Sequence, residues 1–306
     1  MDKAKYIWMD GELTPWDDAK VHVLTHTLHY GNGAIEGTKA YKTVDGRCAI
    51  FKLQEHTQRL LDSSKMTLMD VPFSVEELND AQVKLLQENE LFEGAYIRPL
   101  VYLGYGVMGL YHKDAPVNVS ISAWKWGAYL GEEGLKKGIR LKIASMTRTP
   151  NTSGMGKAKA VANYLNSQMA KFEAVDAGYD EALLRDDQGY IAEASGAAFF
   201  MVQDGVLITP PSDNALKSIT QATVIELAQD MGIKVERRRI TREEIYICDE
   251  CFLTGTAAEV TPVRDVDSRT IGCGSRGPIT EKLQTAYFDA VAGKNEKYIK
   301  DLTYIN

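Results

Sequence analysis

Along the first fifty residues the apolar positions read mostly as short strands. Residues 6–12 form a strand running into an Asp10-Gly11 turn, a hairpin signal. His22 to Leu28 alternates and predicts a second strand, broken by Tyr30-Gly31-Asn32-Gly33. The two glycines there provide φ freedom or room for something close to the backbone. Strands over Thr38–Tyr41 and Cys48–Leu53 flank a Val44-Asp45-Gly46 turn. The period then changes. Gln54 to Met66 predicts a helix with Leu60 and Leu61 on its apolar side, and Ser74-Val75-Glu76-Glu77 is a capping box opening a second helix. Ala95–Leu103 and Val117–Trp126 read as strands. Strands with helices grouped together predict an α+β arrangement.

Gly127 to Gly138 holds four glycines, counting both ends, and reads as a linker between a domain of residues 1–126 and one of residues 139–306. Ile139–Ala144 predicts a strand and Thr149–Gly156 a loop. A helix beginning near Ala160 follows, with Val161, Leu165, Met169, Phe172 and Val175 on one apolar stripe and Gly178 past its end. Two hairpins (Glu181–Glu193 and Phe199–Thr209), a helix from about Thr220 to Met231, and strands at Val235 and Glu250–Gly255 complete the pattern.

The chain has 306 residues, 44% of them hydrophobic, enough for about two domains. A net charge of −7 without basic runs argues against a nucleic-acid partner. No apolar run approaches the roughly 18 residues needed to cross a bilayer. The start, Met1-Asp2-Lys3-Ala4-Lys5, lacks the apolar stretch of a signal peptide, so a cytoplasmic protein with no membrane partner is expected. Four cysteines are too few for a disulfide scaffold.

Several residues invite chemistry. Lys159 sits among small apolar neighbours in Lys157-Ala158-Lys159-Ala160, and a desolvated lysine loses its proton readily. A surface lysine at a helix start is the plain alternative, and Lys157 is an equal candidate on composition. Tyr164 lies five residues on. Lys217-Ser218-Ile219-Thr220 leads into a helix whose N-terminus favours an anion, and Gly255-Thr256-Ala257-Ala258 is a turn of similar promise. Arg59 adds a fork of donors. Plain capping by Ser218 and a solvated Arg59 are the competing explanations. Glu193 ends a strand among small residues, either solvent-facing or functional. Tyr96 and Arg98 share one strand face and suit a carboxylate, or a cross-strand ion pair. Cys248-Asp249-Glu250-Cys251 lacks a second pair at zinc spacing and reads as buried thiols, a reversible disulfide being the alternative. His22, His26 and His29 read as packing or hydrogen-bonding residues, and no metal site is expected.

An ordered set of motifs goes further. It runs from Leu28-His29-Tyr30-Gly31 through Ile35-Glu36-Gly37, Glu55-His56-Thr57-Gln58-Arg59-Leu60, Ala95-Tyr96-Ile97-Arg98-Pro99 and Trp126-Gly127-Ala128-Tyr129-Leu130-Gly131 to Lys159-Ala160-Val161-Ala162-Asn163-Tyr164. Gly189-Tyr190-Ile191-Ala192-Glu193, Ser218-Ile219-Thr220 and Gly255-Thr256-Ala257-Ala258-Glu259-Val260-Thr261-Pro262-Val263 follow. Nearly end to end, the chain resembles the branched-chain amino acid aminotransferases, fold-type IV enzymes of pyridoxal 5′-phosphate. The resemblance implies a D-amino acid aminotransferase-like fold, with a smaller N-terminal α/β domain and a larger C-terminal β-barrel-like domain flanked by helices.

It also implies roles. Lys159 resembles the lysine that binds the cofactor as an imine and shuttles the proton, Glu193 the partner of the pyridine nitrogen, and Tyr164 the donor to the phenolic oxygen. Arg59, Ile219, Thr220 and Thr256 resemble the phosphate cup. Tyr96, Arg98, Ala257 and Ala258 resemble carboxylate acceptors, with Ile35 and Trp126 lining an apolar pocket and Tyr129 at its mouth. Tyr30 and residues near Val107-Met108-Gly109 resemble those that reach a neighbouring subunit's site, so a homodimer or higher homo-oligomer is implied. The expected reaction moves the amino group of leucine, isoleucine or valine to 2-oxoglutarate, with amino acids and 2-oxo acids as small-molecule partners. Ala198 replaces a common asparagine and Ile35 a common aromatic, which bears on fine specificity. A D-amino acid or (R)-amine aminotransferase and an aminodeoxychorismate-type lyase are the alternatives within the fold.

Overall fold

The computed structural model describes residues 3–127, 130–213 and 215–306. The chain forms two compact units that are not contiguous in sequence. The first comprises residues 1–126, 158–162 and 290–306, and the second residues 127–157 and 163–289. A linear division at residue 138 would put segments 158–162 and 290–306 with the second unit. They pack on the first because their backbones complete its sheet contacts: Ala160 bridges Ala34, and the strand Leu302–Tyr304 pairs with Cys48–Phe51.

In the first unit β1 (Tyr6–Met9) and β2 (Glu12–Pro15) form a hairpin in which Met9 pairs with Glu12. Asp10 (φ 48°) and Gly11 (φ 107°) supply the two left-handed residues such a tight turn needs. Residues 22–28, expected as a strand, instead lead into helix α1 (His26–Tyr30). Alternation specifies a strand only where a neighbouring strand accepts its hydrogen bonds, and here Val23 and Leu28 are exposed. Gly31 (φ 73°) caps α1, donating to the Thr27 carbonyl. Strands β3 (Gly33–Ile35), β4 (Thr38–Lys42) and β5 (Cys48–Phe51) follow. Helices α2 (Leu53–Met66) and α3 (Val75–Glu88) come next, the latter opened by the full Ser74–Glu77 capping box. Then come β6 (Ala95–Leu103) and β7 (Val117–Trp124). The sheet order is Leu302–Tyr304, β5, β4, β6, β7, β1, β2, with β3 beside β6. Leu60, Leu78, Leu85 and Leu86 pack with Ile50, Ile97, Val119 and Ile121 in a continuous core. Each such side chain contributes about 1.5–3 kcal/mol by leaving water.

The second unit begins in the segment read as a linker, part of which is helix α4 (Glu132–Lys137). Next come β8 (Ile139–Thr147), α5 (Tyr164–Asp176), β9 (Glu181–Arg185), β10 (Ile191–Ala194), β11 (Ala198–Gln203) and β12 (Val206–Thr209). Then follow α6 (Ile219–Asp230), β13 (Val235–Arg237), α7 (Arg242–Tyr246), β14 (Glu250–Gly255), β15 (Glu259–Val266), β16 (Arg269–Thr270) and α8 (Pro278–Val291). The mixed sheet runs β10-β9-β8-β15-β14-β11-β12-β13, with β16 beside β15, and curls as a half-barrel. Leu141, Leu183, Phe199, Met201 and Leu253 fill its core.

Helix α5 reverses the expected orientation. Leu165 (65% exposed) and Phe172 (61%) point outward with Met169 and Val175, while Ser167, Ala170 and Ala174 are buried. The facing surface carries Ala144, Ala182 and Leu184, and the small side chains on the helix face let it lie close on the sheet. Large residues on that face would force it away.

Candidate active site

The first unit holds Lys159 by its backbone. Its N–H donates to Ser63 Oγ at 3.0 Å, and its carbonyl accepts the Ile35 N–H at 3.0 Å. Lys159 therefore sits in an extended segment docked on β3, not at the start of a helix; Val161–Asn163 form a 3-10 turn before α5. Ala158 and Ala160 are buried and Lys159 is half-buried between them. Lys157 differs: it is exposed and donates to the Ser212 carbonyl. Burial thus separates two lysines that composition could not.

Ser63 also donates to the Arg59 carbonyl at 2.7 Å, one turn back on α2. Arg59 Nε and Nη2 each donate at 2.7 Å to the two oxygens of Glu36, a carboxylate only 1% exposed. Burial would raise the Glu36 carboxyl, but Arg59 and His56 hold it well below the usual carboxylate range. His56 Nδ1 lies 3.3 Å from Glu36 Oε1 without hydrogen-bond geometry. Burial pushes His56 down, and the attraction of Glu36 does not offset it.

Gly37 is required by close approach: a Cβ there would stand 2.0 Å from the Tyr96 hydroxyl. Arg98 Nη2 donates to that hydroxyl at 3.1 Å, as the period-two pattern of β6 anticipates. The Tyr96 ring packs edge-on against Trp126 at 4.7 Å and against Trp124 at 5.3 Å. Tyr96, Arg98 and Trp126 therefore form one cluster. Arg98 Nε is buried without a hydrogen bond, a donor available to an acceptor from outside the protein. Ile35 adjoins Lys159 through the backbone bond above. Tyr129 lies outside the described residues. Tyr30 ends α1, 42% exposed, with its ring 4.6 Å from His26. His26 Nε2 donates to the Gly109 carbonyl at 2.8 Å, tying the segment around Val107-Met108-Gly109 to α1. His29 likewise bonds a backbone carbonyl, that of Val23.

The second unit carries the other set. Glu193 sits on β10 just after a register shift between Ile191 and Glu193. A bulge of this kind re-aims the side chain that follows it. Arg148, 8% exposed and anchored by its N–H on the Arg185 carbonyl, places Nε 2.5 Å from Glu193 Oε1. A carboxylate paired in this way is not a solvent-facing strand end. Tyr164 opens α5 and is half-buried.

Ser218 caps α6, accepting the Gln221 N–H at 3.1 Å. The capping explanation is therefore correct, yet it leaves the first-turn amides of Ile219 and Thr220 without intrahelical acceptors, the donor set an anion takes. Residues 256–258 form the turn between β14 and β15, closed by the Gly255–Glu259 pair. The Thr254 hydroxyl donates to the Glu259 carbonyl and the Thr261 hydroxyl to the Ala258 carbonyl, both at 2.6 Å, fixing the loop that bears Thr256, Ala257 and Ala258.

Cys248 and Cys251 are buried free thiols, and burial pushes Cys251 well up. A cavity of about 290 Å³, lined in part by Asn151, Asp186, Tyr190 and Arg239, contains none of the candidate residues. The sequence pattern missed Ser63, Arg148 and the Glu36–Arg59 pair. A buried carboxylate in Ile35-Glu36-Gly37 was the available signal for the last of these; a serine in a helix and an arginine after a strand carry none.

Residues 33–266 match the family model for amino-transferase class IV. The chain is 50% identical over 304 residues to the branched-chain-amino-acid aminotransferase of Pseudomonas aeruginosa, covering 99% of this chain and 98% of that one. It is 44% identical over 297 residues to the Escherichia coli enzyme of the same name, covering 96% and 95%. Among solved structures, a branched-chain amino acid aminotransferase from T.th. with pyridoxamine 5′-phosphate superposes with a TM-score of 0.96 at 45% identity, covering 100% of both chains. The same enzyme complexed with N-(5′-phosphopyridoxyl)-L-glutamate gives a TM-score of 0.95 at 44% identity, again covering 100% of both. The chain belongs to the class IV aminotransferases, enzymes of fold type IV.

Proposed function

We propose that this enzyme moves the amino group of leucine, isoleucine or valine to 2-oxoglutarate with pyridoxal 5′-phosphate, in two half-reactions that share one site. The observation that carries this is Lys159: a half-buried lysine whose backbone is held on both sides, in a chain 50% identical to a curated branched-chain-amino-acid aminotransferase.

Each unit offers donors that suit part of the cofactor: the first a primary amine for an aldehyde and a guanidinium for a phosphate, the second helix-start amides for a phosphate and an ion-paired carboxylate for a basic ring nitrogen. When bound, pyridoxal phosphate supplies the aldehyde and a ring that accepts the electrons left at Cα. Lys159 would hold the cofactor through its side-chain amine and, once that amine is freed, would act as the base and then the acid for the proton at the substrate Cα. Glu193, paired with Arg148, would be the carboxylate that keeps the pyridine nitrogen protonated. Tyr164 would donate to the phenolic oxygen, and Arg59, the amides of Ile219 and Thr220, and Thr256 would take the phosphate. Tyr96, Arg98 and the turn at Ala257 and Ala258 receive carboxylates. Ile35 and Trp126 line the side-chain pocket.

The exposed apolar residues Val23, Leu28, Tyr30, Tyr105, Leu110 and Tyr111 of the first unit, together with the outer face of α5, suit a second copy of this chain. We propose a homodimer in which Tyr30 serves the neighbouring site. No helix among the described residues is long and apolar enough to cross a membrane. We propose the cytoplasm as its compartment, where four free thiols persist.

The test is a substrate panel with 2-oxoglutarate as acceptor. L-Leucine is expected to turn over far faster than D-alanine or (R)-1-phenylethylamine; fast D-alanine turnover with none for L-leucine overturns the substrate. Lys159→Ala is expected to remove both turnover and the absorbance of covalently held cofactor.

A further inference from the structure

Glu36 has no role in the chemistry above, yet it is among the most buried charged side chains described, at 1% exposure. A buried ion pair is seldom better for stability than apolar residues of the same volume, so its retention points to geometry. Glu36 takes Nε and Nη2 of Arg59 together, at 2.7 Å each. Bidentate pairing along one edge fixes the guanidinium plane and the direction of its opposite edge, which a single contact would not do. The carboxylate is itself fixed, with Oε1 accepting the Gly37 N–H at 2.7 Å.

The same short segment also sets Lys159. The residue before Glu36, Ile35, holds the Lys159 carbonyl, and Ser63 links the Lys159 N–H to the Arg59 carbonyl. The aim of Arg59 and the position of the Lys159 backbone are therefore referred to one frame, β3 and α2. His56, beside the pair, does not compete for the carboxylate by a hydrogen bond.

We propose that Glu36 is a positioning residue that aims Arg59 at the cofactor's phosphate, so that the enzyme's preference for phosphorylated over unphosphorylated vitamer depends on it. This rests on the assignment of Arg59 to the phosphate.

The experiment compares apoenzyme affinity for pyridoxal 5′-phosphate and for pyridoxal, by titration of intrinsic fluorescence, in the wild type, Glu36→Gln, Glu36→Asp, Arg59→Gln and the double variant Glu36→Gln/Arg59→Gln. Glu36→Gln is expected to lower the ratio of the two affinities by about tenfold, through weaker phosphate binding alone, and to shift the ³¹P resonance of the bound cofactor. Glu36→Asp keeps the charge but shortens the reach, and is expected to fall between. The double variant should match Arg59→Gln, because Glu36 acts only through Arg59. An unchanged ratio in both Glu36 variants, or equal weakening of both ligands, overturns the proposal while Arg59→Gln still loses phosphate preference. If Arg59→Gln keeps that preference, the assignment of Arg59 fails, and this inference with it. Should Glu36→Gln not fold, Glu36→Asp alone decides by the same ratio.

Discussion

The Ser63 hydroxyl accepts the Lys159 N–H at 3.0 Å and donates to the Arg59 carbonyl at 2.7 Å. One buried side chain thereby joins the amine-bearing segment to the helix that carries the guanidinium. Ser63→Ala removes both bonds and leaves a backbone N–H unsatisfied, a loss of about 1–3 kcal/mol. Its urea midpoint should fall, and turnover should fall with it as the lysine loses its backbone tether. A turnover number equal to that of the wild type would show that the tether does not matter to Lys159.

Arg148 and Glu193 form an ion pair whose side chains are only 10% and 12% exposed. Arg148→Met strands the carboxylate, and breaking a buried pair from one side costs about 3–5 kcal/mol. The variant should melt at lower temperature and turn over more slowly at saturating cofactor. Arg148→Lys should recover part of each, since it restores the charge without the planar fork. Full activity in Arg148→Met would detach this arginine from the function of Glu193.

Acid stability should report His56. Burial lowers its pKa from 6.5, and the unfolded chain regains the ordinary value. Between the two values the unfolded state binds a proton that the folded state does not, so stability rises with pH across that window and is lost on acidification below about 6.5. Glu36 acts in the same sense lower down: its folded pKa is depressed, so its contribution is lost as pH falls below the usual carboxylate range. His56 faces Glu36, Arg59 and Lys159, and the two cations reinforce its neutral form. In urea unfolding at a series of pH values, His56→Gln should flatten the upper part of this loss and reduce, without removing, the lower part, because Arg59 still holds the Glu36 carboxyl down. Identical pH profiles for the two proteins would contradict the assignment.

The outer face of α5 tests the proposed self-association. Leu165, Met169, Phe172 and Val175 are exposed at helical spacing, whereas the face toward the sheet is made of small residues. Phe172→Glu should leave the fold intact, because its side chain is 61% exposed, but shift sedimentation toward monomer at micromolar concentration. An unchanged sedimentation coefficient would remove α5 from the interface.

The amino-acid sequence by itself determined many of the local elements, and the family. The Asp10-Gly11 hairpin, the Ser74–Glu77 capping box and the helix after Ser218 follow from short-range preferences that act within a few residues. The ordered motifs around Arg59, Lys159 and Glu193 carried the class IV resemblance that the family match bears out. Tertiary structure alone decided what depends on a distant surface. Leu165 and Phe172 belong to an apolar stripe, but the face of α5 packed with Ala144, Ala182 and Leu184 carries Ala170 and Ala174 instead, and the stripe is left outside. Lys157 and Lys159 are alike in composition, and only the docking of the segment on β3 buries one and exposes the other. Glu36 meets Arg59 across 23 residues and Ser63 meets Lys159 across 96. Periodicity is a local property, whereas a hydrogen bond needs its partner within about 3 Å, a condition set only when the chain has folded.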